Sequence, residues 1–296
     1  MRMVLGILLL LLVLWLIDAR AALDLFDQTD WRWIAVCVVL IQLQVVLSAI
    51  RWQVTAIRLG QDLRIRRAVR EYFLATLGNL SLPGGVTGDA ARIYRNRQVA
   101  GMTVSAHSVV IERLAGQVAL AVVTIIGWLS WPLLMQGSAP DIGRRLLLMA
   151  VTLLAVLLLA VIATRYTAHR VAVFVRNFGP AVQRAWLDDG QWLIQGVLSV
   201  AIVSTYLVVF AACAAALHQP LPVAAVVSIV PLVLLSMVIP VSIGGWGIRE
   251  AVAASLWPLA GLSAESAVAT SILYGLVSVL GTVPGALWAA LIPQRG

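Results

Sequence analysis

The chain has 296 residues, of which 61% are apolar and only 11% are charged, with a mean hydropathy of +0.98. Soluble domains carry roughly 25% charged and about 45–50% apolar residues, and the polar groups here are too few to cover so much apolar surface. A soluble globule is excluded. A catalytic domain outside the bilayer is excluded too, because the longest polar-rich stretches are only 51–70 and 165–189. The basic residues number 21 and the acidic ones 13, every basic residue is arginine, and the pI is about 10.7. These arginines lie beside hydrophobic runs, so anionic lipid, and not nucleic acid, is the expected partner. Cys37 and Cys213 sit inside apolar runs and read as small core residues, not as a disulfide or metal pair. The three histidines are too far apart for a zinc site, and no cofactor motif occurs.

In chain order, uncharged runs predict spans at about 3–17, 33–50, 114–135, 146–164, 191–217 and 266–293. The first run follows Arg2 and precedes Ala19-Arg20-Ala21, but reads as a span and not as a removable leader. Segment 18–30 holds four aspartates and one arginine and is expected outside, whereas 51–70 holds six arginines and is expected in the cytoplasm. Arg92, Arg95 and Arg97, with the four arginines of 165–184, join that side, which also places the N-terminus in the cytoplasm. Arg144 and Arg145 fall on the outer side in this scheme, against the rule. The tryptophans, among them Trp31, Trp33, Trp131 and Trp288, mostly flank spans and read as belt residues.

Two regions depart from simple spans. In 68–97 a short apolar helix runs into Pro83-Gly84-Gly85-Val86-Thr87-Gly88-Asp89, and in 221–259 an apolar run meets Pro240-Val241-Ser242-Ile243-Gly244-Gly245-Trp246-Gly247. Proline and paired glycines stop a helix, and irregular backbone at membrane depth survives only inside protein or beside a wet cavity. Both regions read as broken, re-entrant hairpins. The expected fold is an all-α polytopic membrane protein, one transmembrane domain over 1–296, with about six full spans plus the two hairpins. Half-repeats fall at about 1–135 and 146–296, with the hairpins opposed as in an inverted repeat. The alternative, 222–239 as a full span, would place the C-terminus outside.

The first hairpin offers Asn79, Pro83, Gly84, Gly85, Gly88, Asp89 and Arg92. Glycine N–H groups, a helix start and a guanidinium make a phosphate cradle, and Asp89 and Arg92 stand at i,i+3. The bland alternative is a helix break with a capping aspartate and an anchoring arginine. The second hairpin repeats the plan with Pro240, Gly244, Gly245, Gly247, Arg249 and Glu250; its bland alternative is a kink with a self-neutralising ion pair. Glu112-Arg113 enters the 114–135 span, where an ionisable residue costs about 2.5–3.5 kcal/mol unless paired. An internal ion pair is one way to lower that cost. His107 and Arg51-Trp52 read as interfacial.

Taken together, Arg51-Trp52, Asn79 with Pro83-Gly84-Gly85 and Gly88-Asp89-Ala90-Ala91-Arg92, Glu112-Arg113, and Pro240 with Gly244-Gly245-Trp246-Gly247-Ile248-Arg249-Glu250 resemble the lysylphosphatidylglycerol synthase transmembrane region, or flippase-like domain family. The elements occur in family order and cover nearly the whole chain. The resemblance implies a membrane domain that moves lipids between leaflets. In bifunctional members it is fused to a cytoplasmic aminoacyl-transferase domain; these 296 residues carry no such domain, so the synthase activity is not carried over.

The expected function is that of a lipid translocase in a bacterial inner membrane, moving an anionic or aminoacylated phospholipid or an isoprenoid-type lipid, with no catalytic residues. Arg92, Arg249 and Arg113 are expected to contact phosphate. Asp89, Glu112 and Glu250 are expected to orient those arginines, bind a cationic part of the head group or carry a proton. Lysine is absent, so no phosphate-binding loop of the ATPase type exists. Three alternatives stay open: an ion-coupled transporter of a small anion, an intramembrane lipid-modifying transferase using Asp89 or Glu112 as base, and a scaffold for a lipid-synthesis enzyme. Expected partners are lipid head groups and, secondarily, such a separate enzyme.

Overall fold

The computed structural model describes residues 11–82, 85–135, 169–238 and 244–291. Every regular element among them is helical: α1 (Ala19–Asp24), α2 (Trp31–Arg58), α3 (Ile65–Ser81), α4 (Thr87–Met135), α5 (His169–Val182), α6 (Gln191–Ala216), α7 (Val223–Ser236), α8 (Ile248–Leu256), α9 (Ala264–Leu280) and α10 (Val283–Leu291). Four stretches among the described residues are long and apolar enough to cross a membrane: Trp31–Arg58, Gly101–Leu134, Arg176–Ala216 and Ala264–Ala290. The expected runs 33–50, 114–135, 191–217 and 266–293 fall on them. Residues 1–10 and 136–168 lie outside the described residues, and with them most of the run at 3–17 and all of that at 146–164, as do Arg144 and Arg145.

The element boundaries follow from local chemistry. Asp30 accepts from the Arg32 N–H at 2.9 Å and starts α2, and Ser263 accepts from the Ser266 N–H at 3.1 Å and starts α9. Gly101, at φ +82°, bends α4. Asp189 and Gly190, both at positive φ, break the third stretch just before α6, leaving 26 residues of regular helix to cross. α7 has 14 residues. At 1.5 Å per residue it reaches about 21 Å, short of a hydrocarbon core about 30 Å thick.

The core lies where α2 packs on α6 and α4 packs on α7, with α8 and α9 closing one side. Phe210 meets Tyr274 and Trp257 at ring separations of 5.0 and 5.8 Å. Cys37 and Cys213 are free, fully buried thiols facing each other across the α2–α6 seam at 3.8 Å. Trp131 departs from the belt expectation: it is buried and stacked on Trp128 at 4.9 Å, because α4 and α7 approach closely enough to enclose it. Trp31 does stand exposed at the start of α2.

Candidate functional site

The first hairpin closes through a side chain that caps across the turn. Asn79, in the last turn of α3, accepts from the backbone N–H groups of Gly88 and Asp89 at 2.9 and 3.3 Å, satisfying two free donors at the start of α4. The crossing is tight. A Cβ on Gly88 would lie 1.9 Å from the Ala75 carbonyl oxygen, so only glycine lets α4 start there. Pro83 and Gly84 lie outside the described residues.

This closure delivers charges from α2 and from both arms of the bent α4 to one buried point. Arg92 pairs with Asp89 one turn back at 3.0 Å and with Glu112 at 3.0 Å. Glu112 also accepts from Arg51 at 2.8 Å and from the Tyr72 hydroxyl at 3.1 Å. Arg51 donates further to the Glu112 carbonyl at 3.2 Å and to Ser199 of α6 at 3.1 Å. Asp89 is held by Arg113 and by the Asn79 amide, and Arg113 also donates to the Gly85 carbonyl at 3.3 Å. The Arg92 guanidinium lies between the rings of Trp52 and Tyr72, 4.7 and 4.6 Å from their centroids.

Glu112 and Arg113 do not pair with each other. Neighbours on a helix point about 100° apart, so Glu112 turns to Arg51 and Arg92 while Arg113 turns to Asp89. Arg51 is a correction to the interface reading: it is 3% exposed and belongs to the network, because α2 continues through it to Arg58 and does not end there. His107 is likewise buried, its Nε2 3.1 Å from the Phe174 carbonyl.

Three guanidinium groups, Arg51, Arg92 and Arg113, face two carboxylates, Asp89 and Glu112. Donors on Arg51 (Nε) and Arg92 (Nε and Nη1) are buried without a hydrogen-bond partner. Among these five charged side chains Arg113 alone is substantially open, at 37% exposure, against 1–8% for the rest.

The second hairpin is closed and neutral. Arg249 pairs with Glu250 at 2.7 Å, Ser271 of α9 bonds both at 2.8 Å, and the second Glu250 oxygen accepts from the Gly247 N–H at 2.6 Å, capping α8. Gly244, Gly245 and Gly247 all have positive φ, and a Cβ on Gly245 would lie 2.6 Å from Met237. Pro240 lies outside the described residues. The two Gly-rich elements are neighbours: a Cβ on Gly244 would sit 3.3 Å from the Leu80 side chain at the end of α3. Arg51, Tyr72, Ser199 and Ser271 escaped the sequence reading of the site. For Arg51 the signal was present, as a charge directly adjoining an uncharged run; the uncharged partners carried none.

Long apolar helices around a buried cluster of ion pairs define a multi-pass helical membrane protein. The chain matches the family described as Lysylphosphatidylglycerol synthase TM region over residues 3–285 and belongs to it. That membership ties it to membrane lipids. No curated protein and no solved structure matches it.

Proposed function

We propose that this protein is a lipid translocase that holds an anionic head group at Arg113 while the lipid crosses between leaflets. The observation that carries the reading is the charge balance of the first cluster: three guanidinium groups against two carboxylates, with the surplus reaching the open side at Arg113. A membrane interior tolerates an unbalanced cation poorly, so the surplus matches an anionic ligand. Arg51, Arg92, Asp89 and Glu112 position Arg113 and set the local field. Arg249 and Glu250 brace the second hairpin.

The two hairpins are re-entrant in this reading. The 14-residue α7 and 9-residue α8 are each too short to cross, and the approach of Gly244 to Leu80 supports their meeting inside the bilayer. The protein sits in a bacterial inner membrane with the α3 arginines in the cytoplasm. It carries out no bond-making step, and its partners are lipid head groups.

The test is transfer of fluorescent phosphatidylglycerol in liposomes. Arg113→Gln removes the accessible charge from a half-exposed position and is expected to lower transfer by on the order of tenfold or more while the protein stays folded. Transfer at the wild-type rate in that variant would overturn the assignment. Uptake of a soluble anion in place of lipid transfer would favour a small-anion transporter.

A further inference from the structure

The outer side of α3, away from the buried cluster, carries a second feature. Its first turns and α10 border a groove of about 640 Å³ lined by Ile65, Arg66, Arg67, Val69, Arg70 and Trp288. That volume falls within the roughly 300–1,000 Å³ of small-molecule sites. Its walls are nearly all carbon, so the arginines line it chiefly with their aliphatic stems. Below the groove the seam is tight. Phe73 meets Trp288 edge-to-face at 5.4 Å, and Gly285 of α10 packs so closely on α3 that a Cβ would lie 2.6 Å from the Phe73 carbonyl oxygen.

The rim charge is not cancelled within the protein. Arg66 is exposed and has no hydrogen-bond or ion-pair partner among the described residues. Arg67 donates to the Arg95 carbonyl at 3.2 Å, and its Nε is buried without a partner. Arg70 reaches Glu71 at 3.3 Å, but Glu71 is already held by Arg95 at 2.5 Å, and Arg70 stays 47% exposed. A cationic rim over an apolar trough, with a tryptophan at its edge, has the two chemistries of a phospholipid: a phosphate for the guanidinium groups and an acyl chain for the trough.

We propose that the α3–α10 groove is a binding site for one anionic phospholipid, distinct from the buried ion-pair cluster, with its phosphate at Arg66 and Arg70 and its acyl chain against Trp288. α3 links the two places. Ile65, Arg66, Val69, Arg70 and Phe73 lie on its groove side, whereas Tyr72 and Asn79 reach Glu112 and Asp89 on the other. The site does not depend on the translocase reading, since a protein that moves no lipid can still hold one here.

The test reads Trp288 in the full-length protein reconstituted into nanodiscs. Brominated phosphatidylglycerol or brominated phosphatidylcholine is titrated into an unbrominated phosphatidylcholine background. The signal of Trp288 is the difference between wild type and Trp288→Phe. Brominated phosphatidylglycerol is expected to half-quench it at a mole fraction on the order of tenfold lower than brominated phosphatidylcholine. Arg66→Gln/Arg70→Gln is expected to remove that preference, as two juxtamembrane arginines contribute about that much. If the double variant fails to fold, the wild-type protein still decides, because raising salt from about 0.1 M to about 1 M is expected to erase the preference by screening. Equal half-quenching by the two lipids at low salt would mean that the arginines only set topology, and would overturn the proposal. So would displacement of the lipid by glycerol 3-phosphate at matched concentration, which would make the rim a simple anion site.

Discussion

Glu112 accepts from Arg51, Arg92 and Tyr72 at once, and each of these is buried or backed by buried neighbours. Removing its charge leaves two guanidinium groups facing each other in a low-dielectric interior. Breaking a buried pair in this way costs about 3–5 kcal/mol, far more than the net worth of the pair. Glu112→Gln is therefore expected to lower thermal stability in detergent sharply, measured by intrinsic fluorescence, with little folded protein recovered. Arg113→Gln, half-exposed and held by one carboxylate, is expected to change stability by about 1 kcal/mol or less. The contrast separates residues that hold the cluster together from the one to which the translocase proposal assigns the ligand. Ser271 is a third case: it bonds both Arg249 and Glu250. Ser271→Ala is expected to cost about 1–3 kcal/mol in the same measurement, because a buried charged pair loses a partner it cannot replace with water.

At the scale of elements, two seams decide the fold. The α3–α4 crossing depends on Gly88, whose missing side chain leaves room for the Ala75 carbonyl. Gly88→Val would force these helices apart and withdraw Asn79 from the start of α4. It is expected to abolish the monodisperse peak in size-exclusion chromatography, whereas Ala90→Ser, at an exposed position in the same turn, leaves it intact. The α2–α6 seam is marked by Cys37 and Cys213, fully buried with sulfurs 3.8 Å apart. In folded protein neither thiol is expected to react with N-ethylmaleimide within the time that labels both in denaturant. Rapid labelling of the folded protein, read by mass spectrometry, would mean that this seam opens.

At the scale of the whole molecule, the two Gly-rich elements come from opposite halves of the chain yet lie side by side, with Gly244 against Leu80. One is charged and partly open through Arg113; the other is neutral and closed by Arg249–Glu250. The translocase proposal rests on that asymmetry: it assigns the ligand to the first element and a bracing role to the second. If both are re-entrant and opposed, a reporter fused after Gly296 is expected to read cytoplasmic. A periplasmic signal would show that one of them spans.

Much of this organisation was legible in the sequence because its causes are local. Scarcity of charge and long uncharged runs dictated helices in a membrane, since an isolated backbone in lipid must satisfy its own hydrogen bonds. Paired glycines and prolines located the helix breaks, and the i,i+3 spacing of Asp89 and Arg92 announced their contact. What the sequence could not decide was which charges meet at a distance. Arg51 looks like an anchor until α2 is seen to run past it to Arg58, and Glu112 and Arg113 look like one pair until helix geometry sends them to different partners. Tyr72, Ser199 and Ser271 carry no charge and no motif, so only the tertiary packing of α3, α6 and α9 reveals them. Composition and periodicity report what each residue costs to bury; only three-dimensional packing settles which partner lowers that cost.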